Sequence, residues 1–233
     1  MNIPADLSDY TRPSPCVDSD HPEIEKLVKC LVEPADSELD TAIALYYWVR
    51  DEIRYNPYAL SKDIHGFCAS NTLRQGEGWC VPKAILLAAL CRAAGIPARL
   101  GFADVRNHLS TASMREIMGT DIFYFHGYTA IYLEKHWVKA TPAFNAQLCD
   151  RFGLHALEFN GREDSIYHPF DKQGHRHMEY LNDRGQHLDL PYDEMMALFR
   201  SHYPKMFTEL EQFSPVDGSG DRWQREVEEE TAP

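Results

Sequence analysis

The sequence lacks net positive charge. It is 233 residues long, with 23 Lys and Arg against 36 Asp and Glu, a formal net charge of −13 at pH 7. Engaging nucleic-acid phosphates or an anionic membrane surface needs an excess of cations, so neither partner is expected. A long apolar run is missing as well. The most hydrophobic stretch, Ala84 to Gly95, is interrupted by Arg92 and falls short of the ~18 uninterrupted apolar residues of a membrane-spanning helix. The six cysteines, at positions 16, 30, 68, 80, 91 and 149, include no C-x-x-C pair, which argues against a zinc knuckle or a dithiol redox site. Met1 to Asp9 shows neither the basic start nor the apolar run of a secretory signal; a cytoplasmic location with reduced thiols is the expectation. There is no internal repeat and no long low-complexity tract.

What is present is an ordinary globular composition, 44% hydrophobic and 25% charged, on a chain long enough to bury roughly 70 to 75% of its extended surface. The acidity sits at the ends. Residues 1–40 hold 10 acidic and 3 basic residues, and residues 214–233 hold 6 and 2. The chain divides into an acidic extension with a helix (1–36), a core (37–150), a C-terminal extension packing on it (151–213) and an acidic tail (214–233) too polar and glycine-rich to pack.

Helical patterning comes first along the chain. Pro22 to Val32 places Ile24, Leu27, Val28 and Leu31 on one face, and Ser37-Glu38-Leu39-Asp40 has the capping-box form before a second helix ending near Ile53. Pro57, Gly66, Gly76 and Gly78 mark Tyr55 to Gly78 as a long loop. The strongest helix begins at Cys80, has Pro82 in its first turn and stops at Gly95-Ile96-Pro97. Strands follow at Ala98–Ala103, Phe123–Leu133 and His136–Thr141, the last two joined by a two-residue turn at Glu134-Lys135. Leu190 to Phe213 is helix-compatible with a break at Pro204. This order of elements predicts an α+β fold.

Cys80 and His126 carry the candidate chemistry. A cysteine at a helix N-terminus has its thiolate favoured by unpaired N–H groups and the helix dipole, and Lys83 one turn on adds a cation. The backbone N–H groups of Trp79 and Cys80 can donate to an oxyanion. His126, on an aromatic strand beside Gly127, is placed as a rigid general base. Tyr128 and Trp79 are expected to wall the cleft. His175 and His177, near His168 and His187, lack a third ligand at a convincing spacing, so no metal site is assigned.

The segment from Gly78-Trp79-Cys80-Val81-Pro82-Lys83 through Gly95-Ile96-Pro97-Ala98-Arg99 resembles the nucleophile segment of the transglutaminase-like superfamily. His126 to Leu133, Trp137 to Pro142 and Tyr46 to Tyr55 resemble its histidine strand, the strand after it and the preceding helix. The resemblance covers residues 40 to 145. It implies a papain-like α+β fold in which a nucleophile helix packs on an antiparallel sheet, with Cys80 as nucleophile, His126 as base and no cofactor. Where the family usually has an aspartate to orient the imidazole, this chain has Thr141. If Leu133 pairs with His136, His126 lies opposite Ala143, and Thr141 and Asn145 flank it on the same face. Asn145, Thr141 or Asp104 is then the candidate third member, with an ion pair to Arg106 as the structural alternative for Asp104.

Two functions follow. One is a thiol-dependent acyl-transfer enzyme acting on a peptide, protein or small amide, a hydrolase rather than a cross-linking enzyme. The other is a non-catalytic binding module with a degraded triad. Residues 74–139 hold 8 basic and 5 acidic residues, a balance that suits a thiolate and carboxylate-bearing substrates.

Overall fold

The computed structural model describes residues 7–33, 36–107, 110–167, 170–175, 177–210 and 219–230. Helices fill its first part. Pro22–Leu31 (α1) buries Ile24 and Val28. Ser37 caps Glu38–Glu52 (α2) by accepting a hydrogen bond from the Asp40 N–H at 3.1 Å. The stretch from Tyr55 to Gly78, expected as a loop, is structured. Arg54–Tyr55 (β1) pairs in parallel with Glu77–Gly78 (β2), and Ala69–Gln75 (α3) lies between them. Gly76 makes this possible by ending α3 at a φ of 67°, a left-handed conformation that side chains disfavour. Cys80–Ala93 (α4) follows, buried at every position from Cys80 to Arg92, which is why its sequence is apolar all round. Arg92 is satisfied there, donating to the carbonyls of Ala98, Arg12 and Leu188.

The remaining elements are Ala98–Asn107 (β3), Ala112–Met118 (α5), Ile122–Leu133 (β4), His136–Ala140 (β5), Ala146–Arg151 (α6), Met178–His187 (β6), Tyr192–His202 (α7), Pro204–Leu210 (α8) and Ser219–Glu230 (α9). The strands β3 to β6 form one antiparallel sheet of order β5-β4-β3-β6. Leu133 does pair with His136, and the two turn residues Glu134 and Lys135 both take positive φ, as a type I′ turn requires even without Asn-Gly. Pairing of β4 with β5 stops at Thr129 opposite Ala140, so it never reaches His126. The helix break falls at Pro204 as expected.

The expected unpacked tail instead contains α9. Its Trp223 and Val227, four residues apart, are both buried, and the Trp223 ring meets those of Tyr55, Tyr58 and Phe152. Ile24, Leu45, Leu87, Ile131, Phe199 and Val227 belong to one buried cluster, so α1, α2, α4, the sheet and the C-terminal helices share a core. The architecture is α+β, a four-stranded antiparallel sheet against helices. No described helix is long and apolar enough to cross a membrane.

Candidate active site

Trp79 takes an extended backbone as N-cap, which makes Cys80 the first residue of α4. The N–H groups of Gly127, Val81 and Cys80 itself hydrogen-bond towards the Cys80 sulfur and favour the thiolate. Burial outweighs them: Cys80 is 5% exposed, and its thiol is pushed up to about 12. The expectation of a depressed thiol pKa is therefore corrected. Lys83 does not help, because its buried ammonium donates to the carbonyls of Arg50 at 2.9 Å and Ile53 at 2.5 Å. It closes the end of α2, and burial lowers its own pKa well below the usual lysine range.

His126 is aimed by a bulge in β4. Ala103 pairs with His126 while Val105 pairs with Phe123, so Tyr124 and Phe125 together oppose Asp104. Phe125 sits at a φ of 56°, a conformation that costs a bulky residue on the order of 1 kcal/mol or more. Asp104 holds it there by accepting from the Phe125 N–H at 3.2 Å and from the Arg184 guanidinium at 2.5 and 2.8 Å. Asp104 thus anchors the bulge. Its ion-pair partner is Arg184, and Arg106 pairs with Asp121 and Glu179 instead. The His126 ring is 4% exposed, and burial, with His177 adding to it, lowers its pKa to about 4. At neutral pH the thiol and the imidazole are both uncharged.

Gly127 lets the two elements meet. A Cβ at this position would lie 3.0 Å from Val81 Cα, so only glycine gives β4 this close approach to α4 without displacement. Cys80 and His126 then line one cleft of about 450 Å³. Trp79 and Tyr55 are in it as well, with Met114 and Met118 from α5 and Phe199, Tyr203 and Met206 from α7 and α8. Tyr128, expected here, lies elsewhere: its ring fills the notch left by Gly101, and its hydroxyl accepts from Gln186 Nε2 at 3.3 Å. Nor does a cation among the described residues line the cleft. Arg99 lies over the Trp137 ring, Arg92 is spent on carbonyls and Arg106 on carboxylates. The methionines and α7–α8 aromatics went unmarked in the sequence because three separate elements contribute them, with no shared period.

Behind the imidazole lies a second cavity of about 350 Å³, lined in part by His126, Thr141, Cys149, His155, Tyr167 and His177. Among the described residues, His126 Nε2 and Thr141 Oγ1 are both buried with no hydrogen-bond partner. Asn145 is not brought to the ring. Its amide nitrogen donates to the carbonyls of Arg50 and Ile53, the latter at 2.9 Å, and its oxygen accepts from the Tyr55 N–H at 2.8 Å. The reason is the early end of β5: Asn145 leaves the sheet and caps α6. The histidines of the 168–187 segment diverge. His175 bonds Asp171, His187 Nε2 donates to the Arg184 carbonyl in the tautomer that protonates it, and His177 stacks on Phe144. No group of three or more His, Cys, Asp or Glu among the described residues is arranged to hold a metal ion; His168 lies outside those residues.

Two solved structures resemble this chain. One, named "a Putative Cysteine Protease from Cytophaga hutchinsonii", is 18% identical with a TM-score of 0.46 over 80% of this chain and 55% of that one. The other, named "a putative protease from Parabacteroides distasonis", is 15% identical with a TM-score of 0.39 over 59% of this chain and 26% of that one. This chain therefore spans little more than half of the length of the first. No curated protein matches the sequence. The family model for the core of the transglutaminase-like superfamily matches residues 25–142, which contain α4, β4, Cys80 and His126; the chain belongs to the transglutaminase-like superfamily.

Proposed function

We propose that the protein is a thiol-dependent acyl-transfer enzyme that hydrolyses an amide. The observation that carries this reading is the shared cleft: a cysteine at a helix start and a strand histidine line it together, with the Gly127 N–H on the sulfur. Cys80 Sγ attacks the carbonyl carbon while His126 accepts the thiol proton. The tetrahedral oxyanion collapses, the C–N bond breaks, and His126 returns the proton to the departing amine. Water, deprotonated by His126, then attacks the thioester; the C–S bond breaks and the thiol and carboxylic acid are released. Because both groups rest uncharged, the proton moves with the attack and no preformed ion pair is needed. Thr141, which lines the cavity behind the ring without a hydrogen bond to it, is the residue we assign to the orienting role, its hydroxyl meeting the ring only as the imidazole takes up the proton.

The competing reading is a binding module without turnover, favoured by a thiol pushed up to about 12 and by a threonine where a carboxylate would stabilise the imidazolium. Intact-protein mass spectrometry after exposure to a small activated ester separates the two. The enzyme acquires one acyl group on Cys80, labile to hydroxylamine, and His126→Ala slows acylation by roughly 100-fold or more. Acylation of Cys80 no faster than that of the exposed Cys30, and indifferent to His126→Ala, would establish the binding module.

A further inference from the structure

We propose that the acyl group taken by Cys80 is apolar and uncharged, a hydrocarbon chain or aromatic ring from a small donor. This rests on the acyl-transfer reading above. None of the described residues lining the cleft is an Asp, Glu, Lys or Arg. Next to the thiol, the wall is built from Met114, Met118, Phe123, Phe199, Tyr203 and Met206. The one polar tip in that set is already used: the Tyr203 hydroxyl donates to the Ile122 carbonyl at 2.8 Å and accepts from the Tyr124 N–H at 2.7 Å. Trp79 Nε1 is a buried donor without a partner there, but a charged acyl group would be stripped of water with no opposite charge to pair it, the costliest form of burial. An apolar one replaces water on hydrocarbon and sulfur surface. Three flexible thioether side chains let the walls adapt to more than one shape.

Access points the same way. Cys80 and His126 are both buried, so a small donor reaches them through the cleft more readily than the loop of a folded protein does. The sequence expectation of carboxylate-bearing substrates fails for a physical reason. Of the cations counted between residues 74 and 139, Lys83, Arg92 and Arg115 are on carbonyls, Arg74 and Arg106 on carboxylates and Arg99 and Lys139 over rings, and neither these nor Lys135 lines the cleft.

The test has a binding arm and a reaction arm, both on the full chain. In the first, unreactive butanamide, hexanamide, octanamide and the anionic succinamate are titrated calorimetrically. Affinity is expected to rise about fourfold per methylene until the cleft is full, and succinamate is expected not to bind. In the second, 4-nitrophenyl butyrate, octanoate and hemisuccinate are compared by the rate of acyl-Cys80 formation, with octanoate expected fastest and hemisuccinate slowest. Met206→Glu, in the cleft wall, should weaken octanamide at least tenfold. Chain-length-dependent binding without acylation by any ester would sink acyl transfer and keep the apolar site. Acylation that ignores chain length, or is fastest with hemisuccinate, would overturn the apolar-acyl proposal and leave acyl transfer standing.

Discussion

The amide of Asn145 and the hydroxyl of Thr141 lie four residues apart and have opposite circumstances. Asn145 is saturated: it bonds two carbonyls at the end of α2 and the Tyr55 N–H. Thr141 Oγ1 is buried with no partner among the described residues, on the cavity that His126 also lines. Removing this half-buried amide leaves the Tyr55 N–H without its acceptor, while the Arg50 and Ile53 carbonyls keep Lys83 as a donor; the one orphaned group costs about 1 kcal/mol or more. Removing an unsatisfied hydroxyl costs little. Asn145→Ala is therefore expected to lower stability by about 1 to 2 kcal/mol, read as a lower urea midpoint, while acylation of Cys80 per folded molecule stays as it was. Thr141→Ala is expected to leave the midpoint nearly unchanged, slow acylation about tenfold and alter its pH profile, with Thr141→Ser restoring both. If instead Asn145→Ala slows acylation of fully folded protein and Thr141→Ala does not, their assignments here are reversed.

At the scale of elements, the site is a contact between one helix and one strand, and Gly127 sets its closeness. A Cβ would meet Val81 Cα at 3.0 Å and Val81 Cγ2 at 3.1 Å. The nearer neighbour is backbone, so β4 has to retreat from α4 by a few tenths of an ångström. Gly127→Ala is expected to cost only about 1 to 3 kcal/mol, as other overpacked sites do, yet to slow acylation of Cys80 tenfold or more, since reacting atoms tolerate little displacement. Circular dichroism and thermal melting would confirm the fold, and an unchanged acylation rate would count against this contact as the catalytic one. Much of this arrangement was legible in the sequence. The helix starting at Cys80, the strand carrying His126 and the Leu133–His136 register each follow from local pattern. What stayed hidden was decided by tertiary context. The β6 strand is an edge with Leu181, Asn182 and Asp183 exposed, so no alternation marks it; the α3 helix is masked by flanking glycines; α9 hides two apolar residues in an acidic run. Lys83 reads as a cation beside the thiol, and only the fold reveals that it reaches back to α2.

At the scale of the whole molecule, the buried neutral pair ties folding to pH. In the unfolded chain His126 takes up a proton near its ordinary 6.5; in the folded protein it does so only near 4. Between those values the unfolded state binds more protons, so stability falls as pH drops from about 6.5 towards 4. At about 1.36 kcal/mol per unit, the loss is on the order of 3 kcal/mol. The thiols act at the other end with the opposite sign. Cys80 and Cys91 are pushed up from 9.0 to about 12 and Cys149 to about 11, so above pH 9 the unfolded chain releases protons that the folded one keeps, and stability falls again. Urea midpoints measured in reducing buffer from pH 4 to pH 10 should therefore rise with pH up to about 6.5, rise more gently from there to about 9 because buried Lys83, its pKa held well below the usual lysine range, binds less of a proton than in the unfolded chain, and fall above 9. His126→Gln should flatten the acid slope above pH 4.5, where carboxylates have not yet begun to take up protons in number, and Cys80→Ser should reduce the alkaline one. An acid slope in that interval unaltered by His126→Gln would mean that the imidazole is solvated and charged in the folded protein. The general-base mechanism would then have to begin from an ion pair.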